Sequence, residues 1–332
     1  MKQLAVNKKV GKMLLFEDIQ RAEKIVAKHV VKTPIVQSKA LSEAIGEEIY
    51  LKLENQQITG SFKIRGAINA ISNLTPEQRK AGVVALSTGN HGRGLAYAAN
   101  LMKIRCIICM SELVPNNKIE GIKEIGAEVK LIGGNQDEAQ LEADRLSIEE
   151  GMTYISPFDN IDVIAGQGTL GLEIHRQIPK LKFVFVPLSG GGLICGVAKA
   201  LKSLNPNLKV IGVSMDRGAA MYESQKAGKP IFVKEEESLA DALTGGIGLD
   251  NKYTFDLTRK LVDEIVLVSE EEIAKGIHHA YWHESQIVEG AGAVAIASLL
   301  NNKSTPKGPS LALMCGKNID IDKHFNLIAA KH

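Results

Sequence analysis

Apolar, β-branched runs recur along the chain at residues 49–53, 83–87, 105–110, 128–132, 153–156, 183–188, 210–214, 265–269 and 311–315. Each is short enough to be a strand and too continuous to be the half-buried strand of an antiparallel sheet. Between most of them lie stretches with apolar positions at helical spacing, at 19–29, 93–99, 136–149, 193–204 and 270–284. Ser269 followed by Glu272 predicts a capping box at the head of the last of these. Strand and helix in alternation predict an α/β protein with parallel-rich sheets covered by helices on both faces. No repeat or low-complexity linker interrupts the pattern. The strands on either side of Thr75 and Asp159 predict a small mobile domain, 76–159, inserted into a discontinuous large domain, 1–75 and 160–332, with a ligand cleft between them.

Composition narrows the function classes. The chain has 332 residues, 45% hydrophobic and 23% charged, with 40 basic and 38 acidic side chains well mixed. That balance offers no basic face for nucleic acid or an acidic membrane. No apolar run reaches the roughly 18 residues of a membrane helix, and the lysine-rich start lacks the apolar core of a secretory signal. Four scattered cysteines suit a reducing compartment, so a soluble, cytoplasmic protein is expected. Cys106 and Cys109 form a C-x-x-C, but inside an apolar run whose alternation sends the two thiols to opposite faces.

Three segments carry candidate chemistry. Gly60–Ala67 (Gly-Ser-Phe-Lys-Ile-Arg-Gly-Ala) sets Lys63 just after a predicted strand. A lysine attacks an aldehyde only as the neutral amine, which requires desolvation or a nearby cation such as Arg65; a solvated lysine at a helix start is the plain alternative. Residues 84–95 run from a strand through Ser87-Thr88-Gly89-Asn90-His91 into an alanine-rich helix. Backbone and side-chain donors crowd that turn, as a bound carboxylate or phosphate needs. Residues 184–196 carry a strand into Ser189-Gly190-Gly191-Gly192 and a second helix start. Three glycines let amides close on an anion, and no Gly-Lys-Ser/Thr follows as in a nucleotide-hydrolysing loop. Two patterns mislead. Gly166–Gly171 matches G-x-G-x-x-G, but no strand precedes it, so it reads as a helix start. His279 and His283 stand four apart without a third ligand and read as a packed or solvated pair.

With Gly60–Ala67, 87–92, 189–193 and 315–318 in this order, the chain resembles the fold-type II pyridoxal phosphate enzymes, in the threonine dehydratase/serine racemase branch. Further stretches (87–94, 114–118, 212–221 and 245–251) are similar to the hydroxyectoine-utilisation dehydratases. The resemblance implies two three-layer αβα domains of tryptophan synthase β-like fold, a site in the interdomain cleft, and pyridoxal 5'-phosphate as cofactor. Lys63 would carry the cofactor and remove the substrate α-proton, and Phe62 would pack on the ring. Asn90 would meet the ring oxygen, while Gly190, Gly191, Gly192 and Leu193 would hold the phosphate. Cys315 would face the ring nitrogen as a neutral partner, which favours β-elimination. Ser87, Thr88, Gly89 and His91 would hold the substrate carboxylate, and Thr88 also stands where racemases of this branch place a second proton donor. The activity implied is an ammonia-lyase acting on a β-hydroxy α-amino acid such as L-threonine, L-serine or a hydroxyectoine-derived analogue, with racemase or hydroxyaspartate ammonia-lyase chemistry as alternatives; a non-catalytic amino-acid-binding module is the rival of another class. A homodimer is implied as well. Relatives that bind a divalent cation carry acidic residues where Ser214 and Ala220 stand here, so no metal is expected. The chain ends soon after Asn318, and no C-terminal regulatory domain is expected.

Overall fold

The computed structural model describes residues 13–87, 89–114 and 116–330. Its strands are β1 (Ile35–Gln37), β2 (Ile49–Leu53), β3 (Val83–Leu86), β4 (Cys106–Met110), β5 (Glu128–Leu131), β6 (Thr153–Tyr154), β7 (Phe183–Pro187), β8 (Lys209–Met215), β9 (Glu264–Val268) and β10 (Ser310–Met314). They form a six-stranded sheet, β1-β2-β10-β7-β8-β9, and a four-stranded sheet, β5-β4-β3-β6. Every pairing is parallel except β1 with β2. The nine predicted runs coincide with β2–β10 to within one or two residues. The edge strand β1, three residues long and mostly exposed, was too short to leave a pattern.

Each sheet has its own apolar core. β4 shows why the runs were continuous: Cys106, Ile108 and Met110 pack on one side, Ile107 and Cys109 on the other. Both cysteines are buried and face opposite ways, as the alternation predicts. The helix Lys63–Ser72 lays Ile64, Ala67, Ile68 and Ile71 into the core of the four-stranded sheet, beside Leu95 of the helix Asn90–Leu101. It also packs against the helices Ile161–Gln177 and Phe16–Val26. A Cβ on Gly66 would stand 2.4 Å from Gln167 Nε2, and one on Gly166 would stand 2.6 Å from the Arg65 carbonyl. The glycines of the G-x-G-x-x-G pattern serve close packing on several faces, with Gly168 against Ile19 and Gly171 against Val197 and Ala200. The pattern also lies inside a helix that Asn160 caps six residues upstream, not at a helix start. The capping box at Ser269 is present.

The buried space beside that contact holds an ionic network. Arg65 is fully buried, with its guanidinium on Glu54 (2.8 Å) and Glu173 (2.8 Å), and Lys52 completes it on Glu173 (2.9 Å). Such a charge is tolerated only because every donor has a carboxylate partner. The two sheets thus meet across the helix Lys63–Ser72, and the first residue of that helix is the lysine of interest.

Candidate active site

Strands β7 and β10 are neighbours, and the segments that follow them line one cavity at the carboxyl ends of the parallel sheet, where such folds open a crevice. The loop after β10 stitches Lys63 in place. The Phe62 N–H donates to the Cys315 carbonyl (3.1 Å), Lys317 N–H donates to Gly60 O (2.9 Å), and Ser61 bridges to Gly316. Gly60 has φ +77° and lies so near Asn318 that a Cβ would stand 2.5 Å from Oδ1, so only glycine fits. Lys63 Nζ donates to the Pro157 carbonyl (2.8 Å) and lies 5.4 Å from the Phe62 ring centre. Lysine 63 itself stays half-buried, reachable from the cleft. Desolvation of its amine lowers the pKa to about 8, against the opposing pull of Cys315 and Glu289. Arg65 plays no part in that shift, because its charge is spent in the buried network; burial, and not a neighbouring cation, activates the amine.

The inner cavity, about 150 Å³, is lined by Phe62, Lys63, Asn90, Gly190, Gly191, Gly192, Leu193 and Cys315 together with Ser189, Phe158 and Glu289. Gly191 has φ +91° and precedes the helix Gly192–Leu204, whose N-terminus no side chain caps. Its first amides therefore lack intrahelical partners at the cavity wall, the arrangement that suits an anion. A Cβ on Gly190 would stand 2.3 Å from the Phe158 ring. The Cys315 thiol, within 3.3 Å of the Ala291 carbonyl, is held far up by burial and stays neutral.

The cavity opens into a cleft of about 590 Å³ that Lys63 and Asn90 share with Ser87, Gly89 and His91. The Gly92 N–H donates to Ser87 Oγ (2.9 Å), which fixes the turn. His91 is buried against the Ile155 carbonyl (2.8 Å from Nε2), and burial, then the charge of Lys63, drops its pKa to about 3. It is a neutral imidazole and not a proton store at physiological pH. Thr88 lies outside the described residues. The structure thus gathers the other predicted side chains into one cavity and its mouth.

Glu289 carried no recognisable signal in the sequence. Buried ahead of the helix Gly290–Leu300, it accepts from Asn90 Nδ2 (2.6 Å), while Asn318 Nδ2 donates to Asn90 Oδ1 (2.5 Å). The Asn90 amide is held at both ends, with one N–H left for the cavity. Burial and the nearby Asp241 raise the Glu289 pKa to about 7. His279 and His283 are a stacked pair 4.7 Å apart, with His279 on Glu284 (3.1 Å). Ser214 lies in β8 and Ala220 opens a helix; among the described residues no group of three or more His, Cys, Asp or Glu is placed to hold a metal.

Residues 26–316 match the family described as pyridoxal-phosphate dependent enzyme. The chain belongs to this family. It is 53% identical, over 95% of each chain, to a Sinorhizobium fredii protein whose name provisionally assigns it as a threonine dehydratase. With a Thermotoga maritima L-threonine ammonia-lyase it shares 44% identity, over 93% of this chain and 77% of that one. Among solved structures it superposes on maize serine racemase with a TM-score of 0.90 at 30% identity, over 96% of this chain and 98% of that one. The enzyme has the fold of these fold-type II proteins, and its donor set suits the cofactor: a buried amine of lowered pKa, an apolar ring slot closed by a neutral thiol, and an uncapped triglycine helix end that any side chain would obstruct.

Proposed function

We propose that this enzyme is an ammonia-lyase that converts a β-hydroxy α-amino acid, with L-threonine or L-serine as the simplest cases, to a 2-keto acid and ammonia. One observation carries the reading: the lowered-pKa amine of Lys63 stands at the junction of the anion cradle and the cleft. Bound pyridoxal phosphate supplies an aldehyde for amine exchange and an electron-withdrawing ring. The Ser87–His91 turn binds the substrate carboxylate, and Asn90 and Phe62 orient the ring. Lys63 takes the α-proton and returns a proton to the departing β-hydroxyl, so base and acid are one group, whose pKa desolvation lowers to about 8. Gly190, Gly191, Gly192 and Leu193 anchor the far end. Cys315, which holds no charge for a ring cation, biases the chemistry toward elimination.

The same reading takes residues 76–159 as a mobile small domain closing on the remainder, supported by a four-stranded sheet drawn wholly from 83–154. It includes a cytoplasmic homodimer and, from the stretches named above, a hydroxyectoine-derived substrate. Among the described residues no helix is long and apolar enough to cross a membrane. Racemisation is the second reading, favoured by the likeness to maize serine racemase, with Thr88 as the opposite-face donor. The test is a panel of β-hydroxy amino acids assayed for keto acid, ammonia and inverted amino acid. Keto acid with ammonia is expected, together with a visible cofactor absorption that Lys63→Ala abolishes. A wild type that stays colourless after reconstitution, or that returns only inverted amino acid, overturns the lyase reading.

A further inference from the structure

Besides Lys63, three cations line the cleft, Arg93, Lys118 and Lys317, and the elimination uses none of them. Arg93 lies three residues after Asn90 on the helix Asn90–Leu101, so both sit on the same face of its first turns. It lines the cleft and is half-buried, and its guanidinium makes no hydrogen bond or ion pair with any described residue. Of the other charges of the cleft, Lys317 is exposed to solvent, and the rest have partners. Lys118 pairs with Asp241 at 3.8 Å, Glu235 accepts from Thr244 at 2.9 Å, and Glu289 holds Asn90. The position of the Arg93 guanidinium is also prepared. It lies against Gly121, where a Cβ would stand 2.5 Å from Nη2, so that site must be glycine for the guanidinium to remain there.

We propose that Arg93 selects the substrate side chain by receiving a second carboxylate, making a β-hydroxy amino dicarboxylate of the 3-hydroxyaspartate class the preferred substrate. The inference rests on the ammonia-lyase reading of the same site. An unpaired planar fork facing a cleft matches a carboxylate in bidentate fashion. The α-carboxylate is already served by the Ser87–His91 turn, so Arg93 is left for a group on the β-carbon. A methyl or hydrogen there, as in threonine or serine, leaves the fork on water.

The test compares kcat/KM for 3-hydroxyaspartate and L-threonine in the holoenzyme and in Arg93→Gln and Arg93→Lys. Wild type should prefer 3-hydroxyaspartate. The ratio should fall about ten- to hundredfold in Arg93→Gln, the span expected for charge-assisted hydrogen bonds, and less in Arg93→Lys. A turnover-independent arm measures the thermal shift produced by succinate, expected in wild type and lost in Arg93→Gln. Wild type that prefers threonine, or a ratio unmoved by Arg93→Gln, overturns the assignment of Arg93 while leaving the lyase reading intact. Failure to deaminate either substrate by an enzyme that carries its cofactor overturns both.

Discussion

Replacing Glu289 with glutamine keeps an acceptor for Asn90 and removes a buried carboxylate that the fold ionises at a cost. Its ordinary pKa of 4.5 rises to about 7, chiefly through burial and then through Asp241, with Asn90, Lys118 and the backbone of Asn318 pulling the other way. For an acid whose folded pKa is raised, the native state binds the extra proton, so stability falls as pH rises from about 4.5 to about 7 and then levels. A shift of that size corresponds to about 3 kcal/mol at pH 8. Below about pH 4.5 both states are protonated and the penalty vanishes. Glu289→Gln should therefore gain on wild type by about 2.5 kcal/mol between pH 5 and pH 8, less whatever the weaker bond to Asn90 loses. Urea unfolding of the cofactor-free protein at both pH values checks this, since bound cofactor would add its own linked term. A stability gap between variant and wild type that does not widen with pH refutes the assignment of a buried, ionising carboxylate at the head of the helix Gly290–Leu300.

Two further outcomes follow from the site. Reconstitution of the cofactor-free protein with pyridoxal phosphate should quicken about tenfold per pH unit up to about pH 8 and then level, because only the neutral Lys63 amine reacts and its pKa is about 8; stopped-flow absorbance reads the rate, and a rise continuing past pH 10 would mean a solvated lysine. Gly190→Ala places a methyl 2.3 Å from the Phe158 ring, a contact that must displace either the ring or the anion turn; it should destabilise by about 1–3 kcal/mol and weaken cofactor binding at least tenfold in a titration followed by absorbance, and affinity equal to wild type would show that the turn does not hold the phosphate.

The fold was legible because buried parallel strands leave apolar runs that no tertiary contact disguises. Among the described residues nine of ten strands declared themselves, and β1, three residues on an open edge, did not. Lys63, the Ser87–His91 turn and the triglycine turn were legible for a related reason, since glycines and small polar residues cluster where strands empty into helices. What the order of residues left undetermined was which charges would be buried together. Arg65 stands two positions from Lys63, and the sequence left open whether it or desolvation lowers the amine's pKa; a helix turns such side chains to different faces, and packing against the helix Ile161–Gln177 committed Arg65 to Glu54 and Glu173. Glu289 lies 199 positions from Asn90, and the two meet at 2.6 Å only because the loop after β10 and the helix Gly290–Leu300 converge on the turn that follows β3. Local pattern records whether a side chain is apolar, small or flexible. Whether a polar one is paired, desolvated or left facing a cleft depends on contacts between segments far apart in the chain, and those contacts set the acidity of Lys63, His91 and Glu289.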